Sequence, residues 1–230
     1  MTRSRPTVGR VLPTRELETS HGHPESLVAG IDEVGLAPLA GPVVACAIVM
    51  PPGETIDAVR DSKALSRRQR ERLEPIIRRA ALAYGIGAAS AREVERLNPR
   101  AASHLAMARA LAALQRRYRI AVALSLVDGS PAQDLEALIG PHRTVVRGDA
   151  SVYPIACASI VAKVLRDRLM ERLAERYPGY GWETNAGYPA AAHVAALMRL
   201  GVTPHHRRSY APVKDAVRER GGEQIGRAHV

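Results

Sequence analysis

The sequence predicts an α/β protein in which helices cover a sheet. Segments rich in Val, Ile and Ala alternate along the chain with longer segments of helical composition. Gly, Pro, Asn and Ser mark the boundaries between the two kinds of segment, and there is no internal repeat or low-complexity block. Such alternation is typical of domains that layer helices on a sheet.

The first two predicted strands are close neighbours in the chain. They are LVAGID, from Leu27, and PVVACAIVM, from Pro42. Gly35, Pro38 and Gly41 lie between them and favour a turn, so we expect two strands joined by it.

The next three elements carry clear boundary signals. A helix is predicted over about 67 to 83, because Ser66 and Gln69 have the spacing of a capping box. YGIGAAS, from Tyr84, is a short third strand. Asn98 and Pro99 then provide a cap and a first-turn proline for a second helix.

The remaining elements complete the alternation. IAVALSLV, from Ile120, is a fourth strand that ends at Asp128, and RTVVRG is a fifth. Two helices follow, over about 154 to 177 and over 190 to 200, and Gly201 is placed as the C-terminal cap of the second.

The length of 230 residues favours one domain. We assign it to residues 26–217, with a helical C-terminal part. Residues 1–25 are polar and proline-containing, and we expect a flexible arm. The same reasoning predicts a flexible tail over 218–230.

The charge balance favours a polyanionic partner. Lys and Arg total 33 against 23 Asp and Glu, a net charge of +10, and the sequence pI is about 10.3. Long-range attraction and counterion release then favour nucleic acid. A GC-rich genome enriches Arg everywhere and would produce the same charge balance, so the placement of the basic residues must decide between the two explanations.

Other compositional features point to the cytoplasm. Cys46 and Cys157 lack metal or redox spacing and are predicted to be buried free thiols. No apolar run reaches the roughly 18 residues of a membrane helix, and the N-terminal residues lack the apolar core of a secretory signal.

Acidic residues stand at the ends of predicted strands. Asp32 and Glu33 close the first strand, Asp128 follows the fourth and Asp149 follows the fifth. Ligands of α/β sheets bind at such strand ends. Asp128 and Asp149 could equally be turn or cap residues. That alternative is weakest for the adjacent pair, which lies in an apolar run.

The adjacent pair indicates a metal site. Burying ionised carboxylates costs roughly several kcal/mol each, and two together repel. Within twenty residues before the pair only Arg15 is basic, and no Lys or Arg follows within ten. Oxygen ligands suit Mg²⁺ or Mn²⁺, and two such ions promote phosphodiester cleavage.

Six motifs then occur in an order and spacing typical of one family. They are GIDEVG with LAGPVVA, DSKALSRRQRERL, LVDGS, VRGDASVYPIACASIVAKVLRDRLM, YPGYGWETNAGY and HHRRSYAPV. Through them the chain resembles ribonuclease HII from about 28 to 213.

The resemblance implies a ribonuclease H-like mixed sheet flanked by helices, with additional C-terminal helices. It implies metal-dependent hydrolysis of the RNA strand of RNA/DNA hybrids and of ribonucleotides embedded in DNA, giving 5′-phosphate and 3′-hydroxyl ends. The protein would be a cytoplasmic monomer without a membrane partner. By position, the catalytic and metal-binding residues would be Asp32, Glu33, Asp128 and Asp149, holding two Mg²⁺ or Mn²⁺ ions.

The resemblance also implies substrate-binding positions. Lys63 and Lys163 would approach phosphates, and Tyr188 would stack beside the ribonucleotide junction. His206 and Arg207 match the family's His-Arg pair near the C-terminal end, for which a phosphate-facing or a packing role is open. Asp167 is interpreted as structural.

One motif departs from the family pattern. The family usually continues Gly-Arg-Gly where this chain has Gly35, Leu36 and Ala37, and Leu36 cannot donate a charged fork to a phosphate. Pro189 and Ala190 also replace a usual Gly-Thr pair. An alternative is therefore a catalytically weak hybrid-binding protein of the same fold with altered junction recognition.

Overall fold

A computed structural model describes residues 12–132 and 134–219, and within them a five-stranded mixed sheet is flanked by helices. The strands are β1 (Val28–Val34), β2 (Val43–Val49), β3 (Ala83–Ala89), β4 (Leu124–Asp128) and β5 (His142–Val145). The helices are α1 (Glu16–Ser20), α2 (Arg67–Ala80), α3 (Ala91–Leu97), α4 (Pro99–Tyr118), α5 (Leu135–Ile139), α6 (Gly148–Ser151), α7 (Tyr153–Arg176), α8 (Trp182–Asn185), α9 (Ala191–Leu200) and α10 (Ala211–Glu219), and a 3-10 turn spans Ser62–Ala64.

The sheet order β3-β2-β1-β4-β5 places β1 at the centre. β1 pairs antiparallel with β2 through the predicted turn, and parallel with β4. In the parallel ladder Ile31 lies opposite Val127, so Asp32 and Asp128 leave neighbouring strands at the same edge. The predicted α/β class is confirmed.

Helices α4 and α7 cover opposite faces of the sheet. Small residues bring α4 very close to β3: a Cβ atom on Gly87 would lie 2.1 Å from the carbonyl oxygen of Ala106, and one on Gly85 would lie 2.2 Å from that of Ala110. This backbone-to-backbone contact explains how a chain without Phe closes its core.

Most predicted boundaries agree with the structure. α2 has the complete capping box of Ser66 and Gln69, and Asn98 caps α4 through a bond from the amide of Ala101. The fourth strand begins at Leu124 rather than Ile120. The reason is that α4 ends at a left-handed Arg119 (φ 55°), so the residues after it must first return to the sheet.

The described part of the expected N-terminal arm packs against the domain. Thr14 forms a bridge with Val152, and Glu18 is buried beside Arg15. The Arg15 guanidinium lies 4.3 Å from the ring centroid of Tyr153. Residues 1–11 of this arm and 220–230 of the expected tail lie outside the described residues.

The C-terminal helices enclose their own apolar cluster around Trp182, with α9 and α10 on its outside. Both cysteines are buried and free, as predicted. Among the described residues, no helix combines the length and apolar character needed to cross a membrane.

Candidate metal centre and substrate cleft

Three of the four predicted acids converge at one edge of the sheet. Asp32 comes from β1, Asp128 from the end of β4 and Asp149 from α6. Their candidate ligand oxygens all lie within 4.8 Å of one another. The amide of Asp149 donates to Oδ1 of Asp128 over 3.3 Å, which fixes α6 against the end of β4.

The fourth acid, Glu33, lies on the next position of β1 and borders the same space. It lines a cleft of about 400 Å³ together with Asp128. Its Oε2 atom is buried and has no hydrogen-bond partner among the described residues. An unsatisfied buried carboxylate oxygen is costly, and a bound cation would satisfy it.

The electrostatics of the cluster also favour a bound cation. Burial raises the pKa of Asp32 well above its usual range, and the charges of Glu33 and Asp128 raise it further. Burial, followed by the charge of Asp128, raises the pKa of Glu33 to about 7. Burial and then Asp149 raise the pKa of Asp128. Four crowded carboxylates with hard oxygen donors therefore fit divalent ions such as Mg²⁺ or Mn²⁺.

Lys63 is the cation that contacts this cluster. Its Nζ atom lies 2.7 Å from Oδ2 of Asp149, and 78% of its side chain is exposed. The bond to Asp149 raises the pKa of Lys63, which keeps it charged. Its position is set by the 3-10 turn, which Asp61 caps by accepting from the amide of Lys63.

A second group of predicted residues lies along α7. Nζ of Lys163 is 2.8 Å from Oδ1 of Asp167 and 5.7 Å from the ring centroid of Tyr188. The Tyr188 side chain is partly exposed, with a relative accessibility of 37%. Asp167 also lies 3.9 Å from Arg70, so it holds two cations in place, in agreement with a structural role.

The segment with Gly35, Leu36 and Ala37 borders the cleft, but the carbonyl oxygens of Gly35 and Leu36 point into the protein interior. The buried guanidinium of Arg207 donates to the carbonyls of Gly35 and Leu36 over 2.6 and 2.7 Å. Arg166, also buried, donates to Ala40 and Pro42 of the same turn.

His206 and Arg207 do not face the substrate cleft. Arg207 is fully buried and His206 is 2% exposed, so the phosphate-facing alternative is wrong and the packing alternative holds. The ring of His206 instead bonds His193 and the amide of Thr203.

Sequence reasoning missed residues of the cleft, among them Ser103 and Arg100. Both lie on α4 and line the cleft together with Leu36 and Asp128. Ser103 bonds the carboxylate of Glu33 and thereby lowers its pKa against the effect of burial. The predicted cap at Asn98 was the available signal, because it marks the start of the helix whose first turns contain both residues.

Comparison with known proteins gives one consistent family. A family model described as Ribonuclease HII matches residues 29–213. Ribonuclease HII of Paracoccus denitrificans (strain Pd 1222) is 51% identical over 187 residues, which cover 81% of this chain and 85% of the relative.

Solved structures share the fold. Ribonuclease H2 from Pyrococcus horikoshii OT3 has a TM-score of 0.70 at 25% identity, covering 85% of this chain and 99% of its own. Bst-RNase HIII in complex with Mn²⁺ has a TM-score of 0.70 at 18% identity, covering 87% of this chain and 72% of its own.

Proposed function

The chain belongs to the ribonuclease HII family of metal-dependent endoribonucleases, which hydrolyse RNA in RNA/DNA hybrids, and from this premise we propose its finer chemistry. The enzyme holds two divalent ions between Asp32, Glu33, Asp128 and Asp149. It cleaves hybrids and also ribonucleotides embedded in duplex DNA, leaving 5′-phosphate and 3′-hydroxyl ends.

The observation that carries this proposal is the acid cluster itself. Three carboxylates with oxygens within 4.8 Å, and a fourth with an unpartnered buried oxygen, form a donor set for hard cations. Two ions bound there would supply activation of the attacking water and stabilisation of the leaving oxygen. Mn²⁺ bound to Bst-RNase HIII supports the use of a divalent ion of this kind.

The chain's own residues orient the substrate around this centre. Lys63 holds Asp149 in place and leaves most of its length exposed for a phosphate. Tyr188 offers a partly exposed ring for stacking, supported by the nearby ammonium of Lys163. The backbone at Gly35, Leu36 and Ala37 forms the wall beside the acids.

We extend the proposal to the setting of the enzyme. The net charge of +10 suits association with a nucleic-acid duplex. Two free buried thiols suit a reducing cytoplasm, and we propose action there as a monomer.

The deciding experiment substitutes Asp128→Asn and measures cleavage of an RNA/DNA hybrid with Mg²⁺. We expect kcat to fall by about 100-fold or more, roughly 3 kcal/mol of transition-state free energy, because a ligand charge is lost. Asp215→Asn, at an exposed position of α10, is the matched control and retains activity. Undiminished activity of the Asp128 variant contradicts the assignment of the acids.

The alternative of a weak hybrid-binding protein rests on Leu36 and Ala37. A protein that only binds nucleic acid gains nothing from a cluster of acids beside the phosphates, so the cluster favours the enzyme. The same assay separates the two, since a binding protein retains hybrids in a salt-dependent manner but shows no metal-dependent turnover.

A further inference from the structure

The cleft beside Glu33 and Asp128 contains one cation that no motif accounts for. Of the residues that line it, Arg100 is the one Lys or Arg. Apart from Glu33, Asp128 and His104, the rest of the lining consists of hydroxyl-bearing and apolar residues, among them Ser130, Thr144 and Met107. Such a lining suits a sugar–phosphate unit, with apolar contact for the sugar and a guanidinium for the phosphate.

Arg100 is held in the cleft but retains free donors. Its Nη2 atom donates to the carbonyl of Pro131 over 3.0 Å, and the side chain is otherwise exposed. None of the ion pairs found among residues 12–132 and 134–219 involves it. The nearby carboxylate of Asp134 is bonded to His104 over 3.0 Å and interacts with the Arg100 charge without forming an ion pair with it.

The position of Arg100 on its helix adds to the attraction for an anion. It lies in the first turn of α4, a helix of 20 residues whose start is capped by Asn98. The first turn of a helix carries the positive end of its dipole, which adds to the attraction of the Arg100 charge for an anion.

Leu36 lies on the same cleft and cannot bind a phosphate through its side chain. A substrate strand that passes Glu33 and Asp128 meets this apolar residue on one wall and Arg100 on another. Among the residues that line the cleft, α4 therefore provides the one side chain of Lys or Arg.

We propose that Arg100 binds a phosphate of the substrate strand next to the metal centre and provides from α4 the cationic contact that residue 36 lacks. This inference rests on the proposed function and deepens it. Arg100 thus determines substrate affinity, whereas Asp32, Glu33, Asp128 and Asp149 determine turnover.

The first test compares Arg100→Met with Arg116→Met on two substrates, an RNA/DNA hybrid and duplex DNA carrying one ribonucleotide. Arg116 lies on the same helix about 24 Å away, so the control removes the same charge from an exposed site outside the cleft. We expect KM to rise about 10-fold in Arg100→Met with kcat within about twofold, and the salt dependence of kcat/KM to lose about one unit of slope. If Arg100→Met matches Arg116→Met, the inference is overturned.

The second test places an arginine on the opposite wall. Leu36→Arg combined with Arg100→Met is expected to restore KM, because the new guanidinium reaches the same phosphate. A double variant with the KM of Arg100→Met alone refutes the shared phosphate. Arg100→Lys keeps the charge but loses the planar guanidinium fork. Its KM should therefore lie between those of wild type and Arg100→Met.

The two levels of the hypothesis fail in different ways. If the wild-type enzyme cleaves neither substrate with Mg²⁺, the proposed function fails. If it cleaves both and the Arg100 variants retain wild-type KM, the further inference alone fails. Thermal unfolding of each variant confirms that changes in KM do not arise from loss of fold.

Discussion

Arg207 donates four hydrogen bonds to the carbonyls of the turn between β1 and β2 and a fifth to the hydroxyl of Tyr210. No carboxylate pairs with it among the described ion pairs. Burial lowers its pKa, as it lowers that of the neighbouring Arg166 to about 10, and Arg166 therefore stays charged at neutral pH. The guanidinium acts as an internal ligand for backbone oxygens that border the substrate cleft.

We expect Arg207→Lys to reduce stability by about 2 to 4 kcal/mol, because one ammonium cannot reach all of these oxygens and unsatisfied buried carbonyls are costly. KM should rise at the same time, since the wall at Leu36 loses its support. Urea unfolding and steady-state kinetics measure the two effects.

Arg208→Lys provides the matched control, because the adjacent side chain is exposed. It should leave the free energy of unfolding within about 0.5 kcal/mol of wild type and KM unchanged. Equal behaviour of the two variants would show that the buried fork does not hold the turn.

The sequence placed the acids, but it left the role of Arg207 open between phosphate contact and packing and gave no sign of the role of Arg166. Asp32 and Asp128 could be placed from strand ends alone, because parallel neighbours deliver their last residues to one edge. The bonds of Arg207 span 166 to 172 residues of sequence to Gly41, Leu36 and Gly35. No local sequence pattern encodes contacts over such a separation. The sequence therefore could not predict that Arg207 is buried or that it binds the carbonyls of this turn.

At the scale of elements, the contact between β3 and α4 tolerates no added volume. Gly87 faces the backbone of α4, where an added Cβ atom would lie 2.1 Å from the oxygen of Ala106 and 2.4 Å from the amide nitrogen of Ala110. Backbone atoms cannot rotate aside as a side chain can. The separation of helix and sheet is therefore fixed by two glycines of one strand.

We expect Gly87→Ala to cost about 3 kcal/mol of unfolding free energy, at the upper end of the range for overpacking. Denaturant unfolding monitored by circular dichroism measures it. Ala88→Ser, at the exposed neighbouring position, should change stability by less than about 0.5 kcal/mol. A loss below about 1 kcal/mol for Gly87→Ala would mean that α4 moves freely from the sheet.

Local signals predicted elements with strong caps and missed short ones. Ser66 with Gln69, and Asn98 with Pro99, located the starts of α2 and α4 because capping depends on adjacent residues. Helix α1 has five residues and no side-chain cap, and it is held by tertiary contacts such as the buried Glu18. A helix stabilised by tertiary contacts alone shows no capping motif or helical periodicity in its sequence.

At the scale of the whole molecule, a chain of buried histidines connects the C-terminal helices to the backbone of Tyr188. The amide of Thr203 donates to Nδ1 of His206, whose proton therefore lies on Nε2 and faces His193. His193 in turn bonds the carbonyl of Tyr188. Burial, then the charges of His193 and His205, lowers the pKa of His206 to about 3.

The contribution of His206 to stability should therefore fall as the solution is acidified. A histidine whose folded pKa is depressed favours the folded state fully above its unfolded pKa of about 6.5 and progressively less below it. At pH 5 the loss from His206 is about 2 kcal/mol, or about 4 to 8 °C in Tm. Calorimetry between pH 7.5 and pH 5 measures this loss.

The control for this loss is His206→Gln, which cannot take up the proton. Its Tm should be lower than that of wild type at pH 7.5, and on acidification to pH 5 it should fall less, or rise more, than the Tm of wild type. The raised pKa values of the acid cluster stabilise the folded state on acidification, opposite to His206. Because both proteins contain this cluster, the difference between their slopes of Tm against pH removes its contribution. Parallel slopes for both proteins would contradict the role of His206.

The indole of Trp182, the single tryptophan of a chain without phenylalanine, donates to the same His193 that bonds the backbone of Tyr188. Its fluorescence therefore originates from one site, within two hydrogen bonds of the ring proposed to stack on the substrate. Imidazolium quenches indole emission far more than neutral imidazole does, so protonation of the histidine chain and displacement of Tyr188 would each alter the signal. The protein thus contains an intrinsic optical probe, linked to Tyr188 without any added label.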